Sequence, residues 1–196
     1  MSGRAFNGHV QDMGRAAICV LVIAPALVAT VASSARAANV TATATVTAGT
    51  LSLSTSGSPS VSATLNGTDQ TPSDMPMTVN DATGSGSGWN VTITSTAFST
   101  GGGSPKTLST SASTATGASA TCATGTTCTS PTNAISYPLS VLAGSTAPTA
   151  VKLFNAAASS GLGSFTVTPT IQVSIAANTY AGTYTSTVTV AVVSGP

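Results

Sequence analysis

Beyond residue 38 one regularity dominates the chain: apolar side chains alternate with Thr, Ser or Asn in short runs separated by Gly, Ser, Asn and Pro. A period of two sends successive side chains to opposite faces of an extended strand, so each such run buries one face and hydrates the other. Val40, Ala42, Ala44 and Val46 share a face opposite Thr41, Thr43, Thr45 and Thr47. Leu51 and Leu53 repeat the pattern, followed by Val61, Ala63 and Leu65. Trp89, Val91 and Ile93 oppose Asn90, Thr92 and Thr94. The two strongest runs come last, with Phe165, Val167, Pro169, Ile171, Val173 and Ile175 on one face, then Tyr184, Ser186, Val188, Val190 and Val192. No helical period is sustained. About eight short strands at this spacing predict an all-β fold, an antiparallel β-sandwich of two sheets, with a closed β-barrel as the alternative. Pro169 requires a free edge or a bulge, because proline cannot donate to a ladder. Asn178 and Gly182 suit a hairpin loop joining the last two strands.

Residues 1–38 differ in kind. Arg4 and Arg15 precede an apolar run from Ala16 to Ala32, which ends in Ser34-Ala35-Arg36-Ala37-Ala38. Basic region, apolar region and small-residue site are the order of a secretory signal peptide, with cleavage expected after Ala37 or Ala38. About 158 residues then remain, enough for one domain. Within 39–196, a strand or arm is expected over 39–49, and an irregular insertion over 99–131, where GGGSPK, a Ser/Thr/Ala-rich run and two cysteines break the alternation. Cys122 and Cys128, in a Gly/Thr-rich loop of a secreted chain, predict a disulfide.

The residual charge is small: Lys106 and Lys152 against Asp69, Asp74 and Asp81. Neither a nucleic-acid patch nor a polybasic membrane patch can be built from two lysines. Thr and Ser, 36 and 29 of 196 residues, must hydrate the surface in place of charge. Acid–base chemistry is equally short of material. His9 is the one histidine and lies in the signal region, so a Ser-His-Asp or Cys-His nucleophile has no base. Glu is absent, which leaves glycosidase chemistry only three Asp residues after cleavage. The expectation is a non-catalytic protein without cofactor or metal. Asp69, Asp74 and Asp81 lie in one region but match no calcium loop, and turn stabilisation is the better account of them. A lone Trp in phase with Val91 and Ile93 is ordinarily core, although the same ring can stack on a ligand.

The segment Thr78-Val79-Asn80-Asp81, a Gly/Ser turn, and Gly88-Trp89-Asn90-Val91-Thr92-Ile93 resembles the first half of the WxL domain of bacterial surface proteins. Downstream, Tyr180-Ala181-Gly182-Thr183-Tyr184 and the following Thr/Val run look like that domain's C-terminal hairpin. Val91 stands at the family's Leu position, and Val190-Ala191-Val192 at its second Trp-x-Leu, so the chain looks like a divergent WxL-like member. The resemblance implies a secreted, extracellular protein associated non-covalently with the bacterial cell wall. Its partner would be peptidoglycan or another cell-wall polymer, with Trp89, Asn90 and Val91 as the wall-binding motif and Asp81 and Gly88 supporting the turn. The alternative is a structural subunit of a surface coat, pilus or filament, self-associating or joining other surface proteins by β-strand addition at edges that lack charged gatekeepers.

Overall fold

A computed structural model describes residues 41–56, 60–72, 75 and 77–196 of the chain. The expected signal peptide, and Asp74, lie outside the described residues. The strands among the described residues all belong to one compact unit, Thr45–Pro196.

Among the described residues nine strands form two sheets and there is no helix. The first sheet takes the order β1-β2-β8-β4-β5, all antiparallel, from β1 (Leu51–Thr55), β2 (Met77–Asp81), β8 (Gly163–Val173), β4 (Ser113–Cys122) and β5 (Leu139–Val141). The second is built around β3 (Trp89–Thr96). β9 (Val188–Ser194) pairs antiparallel along Trp89–Ser95, and β7 (Val151–Ala156) pairs along Trp89–Ile93. Because a strand has only two edges, these two flank β3 on opposite sides. The two-residue β6 (Ala143–Gly144) continues the β7 edge in parallel at Ser95–Thr96. Two separate, mostly antiparallel sheets are a sandwich, and the expected alternative of a closed barrel does not form.

The core follows the period-two reading closely. Met77 and Val79 of β2, and Phe165, Val167 and Ile171 of β8, share one core cluster with Trp89, Val91 and Ile93 of β3 across the sandwich, and their Thr neighbours are less buried. Each such large apolar side chain, fully buried, contributes about 1.5–3 kcal/mol. Pro169 sits where the sequence requires an irregularity. β2 has already ended opposite Val167, and β4 carries a bulge between Ala115 and Gly117. A second bulge was not legible. Val91 pairs with Phe154 and Thr92 with Lys152, so Leu153 is the extra residue of β7, and both Leu153 and its neighbour Phe154 are buried.

Several expectations are corrected. The irregular insertion over 99–131 contains β4, ten residues between β8 and β5 in the first sheet. Its small Ser, Thr, Ala and Gly side chains conceal the alternation, but their backbone pairs with β8 along most of its length. Val61, Ala63 and Leu65 form no strand. Neither do Thr41–Thr50, which are exposed throughout. The central face positions of the first run are Ala42 and Ala44, which gain little by burial, and of the second run only Val61 packs against a buried cluster, that of Leu108, Ala112 and Val173. The last two strands are not a hairpin. Both edges of β8 are already occupied, by β2 and β4, so the chain crosses through residues 174–187 to the other sheet and β9 joins β3.

Tyr137 fastens the segment before β5 to β7. Its hydroxyl donates to the Leu153 carbonyl and accepts from Asn133 Nδ2 at 3.2 Å. Burial pushes its pKa above the ordinary value, and the Asn133 hydrogen bond opposes that rise only in part. The fold therefore favours the protonated phenol. That contribution is complete below a pH of about 10 and is lost as pH rises through the higher folded-state value. Urea titrations from pH 8 to 11.5 are expected to show wild-type stability falling more steeply than that of Tyr137→Phe above about pH 10. Parallel curves would contradict this.

Candidate functional site

Asp81, Gly88, Trp89, Asn90 and Val91, singled out by the sequence, lie together at one end of the sandwich, and there they are buried. Asp81, at the end of β2, is 4 % exposed, and its Oδ1 accepts from the Thr83 amide at 3.0 Å and the Thr83 hydroxyl at 2.7 Å. This carboxylate starts the Gly/Ser turn, as the spacing suggested. Gly88 ends it with φ +74°, and a Cβ there would stand 2.9 Å from the Ala157 carbonyl carbon, so only glycine lets the turn pass the 157–163 loop.

Trp89 follows at 0 % exposure, its ring 5.7 Å from Phe154 of its own sheet and 6.0 Å from Phe165 of the opposite one. Its indole Nε1 donates to the Gly161 carbonyl at 2.8 Å. Asn90 is 6 % exposed and donates from Nδ2 to the Gly195 carbonyl at 2.7 Å, while Val91 is completely buried. Buried side chains cannot form a contact surface. The expectation that Trp89, Asn90 and Val91 touch a wall polymer is therefore corrected: they belong to the scaffold, pinning the 157–163 loop and the C-terminal strand to β3. The Trp89–Ile93 part of the first segment resembling that family and the Val190–Val192 end of the second are neighbouring strands, with Val91 opposite Val192 and Ile93 opposite Val190.

The Cys122–Cys128 disulfide is formed and lies at this same end. Its loop runs on into Thr129, whose carbonyl accepts from the Gly161 amide at 2.8 Å, the residue that holds the Trp89 indole. The disulfide thus braces the far side of the tryptophan pocket.

Two open concavities lie toward the opposite end of β3, about 23 Å from Trp89 at about 3.3 Å per strand residue. An open groove of about 640 Å³ runs between the 97–110 loop, the β6 turn and residues 185–187. A smaller one of about 370 Å³ adjoins it, the two sharing Pro105 and Thr107. Thr96, Ser99, Thr110, Ser145, Thr185 and Ser186 give the larger groove a neutral, hydroxyl-rich lining. Its walls are tied together. Ser99 and Thr185 exchange backbone hydrogen bonds at 2.9 Å, and Ser186 Oγ donates to the Thr96 carbonyl at 2.6 Å. Beneath lies a satellite core of Leu108, Ala112 and Val173, with Phe98, Ile175 and Tyr184 against it.

Lys106 and Tyr180 form the rim of the smaller groove. The Lys106 ammonium stands 4.5 Å from the centroid of the Tyr180 ring, which is 66 % exposed. Tyr184 Oη donates to the Tyr180 carbonyl at 2.9 Å, and Asp69 Oδ1 accepts from the Ala177 amide at 2.9 Å, so both flanks of the loop are anchored. Asp69 and Asp81 therefore serve turns at opposite ends of the molecule. Among the described residues no three His, Cys, Asp or Glu side chains cluster as metal ligands.

Sequence reasoning did not find this groove. Lys106 and Tyr180 are 74 positions apart, and their segments, GGGSPK and NTYAGTY, carry turn signals rather than a chemical motif.

Comparison with protein-family models, with curated proteins and with solved structures found no match for this chain.

Proposed function

We propose that this is a secreted, non-catalytic cell-surface protein that associates non-covalently with the bacterial cell wall, with peptidoglycan as the polymer. The observation that carries this reading is the open trough at the end of the sandwich away from Trp89, lined by hydroxyls in its larger part and rimmed by an exposed tyrosine beside Lys106. A neutral polyol is matched by hydroxyl donors and acceptors that can exchange hydrogen bonds for those of water. An amphipathic aromatic ring offers it an apolar face. The resemblance of the Asp81-to-Val91 segment to WxL domains points the same way, with the segment acting through the scaffold. Co-sedimentation of the mature protein with purified sacculi tests the reading. Most of the protein is expected in the pellet, released by soluble cell-wall fragments; protein remaining wholly in the supernatant would refute it.

A second reading is favoured by a separate observation: subunit assembly by strand addition. Thr45–Ala48 is an exposed, alternating segment with Val46 at 92 % exposure. Among the described residues β9 pairs only with β3, and its Val188 and Val193 are exposed. Such a segment and such an edge are the two halves of a strand-addition contact. Concentration-dependent oligomers in size-exclusion chromatography, abolished by removing residues 39–48, would support it over wall binding alone.

A further inference from the structure

We propose that the Lys106–Tyr180 corner is the subsite for an anionic sugar unit, a saccharide bearing a carboxylate or a phosphate, and that Lys106 makes the charge contact. The inference deepens the wall-association reading and rests on it. Lys106 is one of two lysines in the chain. The other, Lys152, donates to the Pro196 carbonyl at 2.7 Å, whereas no carboxylate pairs with Lys106 among the described residues. Its ammonium is held by the quadrupole of a ring, an interaction that positions a cation without neutralising it. An arriving anion meets full positive charge.

The ring is held in place as well. Tyr184 Oη fixes the Tyr180 backbone, the Thr179 amide closes a turn on the Ala176 carbonyl at 2.9 Å, and Asp69 caps Ala177. On the other wall the Lys106 backbone bonds Thr100 in both directions, its amide to Thr100 Oγ1 at 3.0 Å and its carbonyl from the Thr100 amide at 2.9 Å. Both partners are therefore preorganised, which lowers the ordering cost of binding. An exposed aromatic ring beside a cation, in a concavity also lined by Asn178 and Thr179, offers three kinds of contact at once: stacking, charge and neutral hydrogen bonds. A single lysine selects one anionic substituent per sugar unit. A polyanion such as nucleic acid would demand many more cations.

The experiment compares wild type, Lys106→Gln, Lys106→Arg and Tyr180→Ala in co-sedimentation with whole sacculi and with sacculi stripped of phosphate-bearing polymers by hydrofluoric acid. Unchanged circular dichroism and melting temperature establish that each variant is folded, as expected for side chains on the rim. Lys106→Gln is expected to weaken binding about tenfold, the loss of one charge-assisted contact, with Tyr180→Ala falling comparably and Lys106→Arg staying near wild type. Where Lys106→Gln weakens binding, a Lys106-dependent component that survives stripping identifies the anion as a carboxylate, and one that disappears identifies it as a phosphate; both support the subsite. Wild-type binding equalled by Lys106→Gln overturns the subsite and leaves wall association standing. A wild type that never sediments overturns both.

Discussion

Trp89→Ala is expected to unfold much of the protein at room temperature, or to lower its urea midpoint drastically. Removing a buried aromatic side chain costs about 3–5 kcal/mol in transfer and cavity terms. The Gly161 carbonyl, which accepts from the indole at 2.8 Å, also loses its partner, at a further cost of about 1–3 kcal/mol. Small domains have only about 5–15 kcal/mol in total. The ring also joins the sheets, lying between Phe154 of β7 and Phe165 of β8, so the cavity would open at their junction. Trp89→Phe, which keeps an aromatic ring and removes the N–H, should lose markedly less. Equilibrium urea denaturation followed by circular dichroism measures both; a Trp89→Ala midpoint close to wild type would contradict the buried, hydrogen-bonded placement. A loss of wall binding in Trp89→Ala would then report unfolding, in contrast to Lys106→Gln, where binding is expected to fall while the fold persists.

Gly161→Ala is expected to produce the second large loss, and by addition of a single methyl group. Gly161 has φ +74°, where an L side chain costs roughly 1–2 kcal/mol. A Cβ there would also stand 2.7 Å from Trp89 Nε1 and crowd the Ala156 side chain. Relieving an overpacked contact of this kind costs typically about 1–3 kcal/mol more. The sum, about 2–5 kcal/mol, approaches that of removing the tryptophan. Gly125, also at positive φ but with nothing within 4 Å of its Cβ position, is the internal control. Gly125→Ala should show only the backbone part. Equal losses at the two positions would mean that the space beside the indole is not what Gly161 protects.

Much of the scaffold was legible because its signals are local. Asp81 announces a turn through its own side chain, and the structure shows that carboxylate on Thr83. The faces of β2, β3 and β8 follow from alternation. The cysteines pair across a short loop. β4 was missed because Ser, Thr, Ala and Gly have too little apolar contrast to display a period, although a backbone ladder needs none. Leu153 was missed because a bulge places consecutive residues inward and defeats a period-two count. The candidate site was the least legible part. Its cation and its ring are brought together by loops that cross between sheets, and neither segment carries chemistry alone.

By itself the sequence determined the all-β class, the inward faces of the principal strands, the need for an irregularity at Pro169 and the shortage of acid–base groups, since each is a property of composition or of residues two apart. Only the tertiary structure decided which strands pair, that β9 leaves β8 for β3, that Trp89, Asn90 and Val91 are sealed, and that Lys106 meets Tyr180 at the far end. Alternation specifies a face and not a partner. Partners are set by which edges remain unpaired, and burial by what the opposite sheet lays against that face.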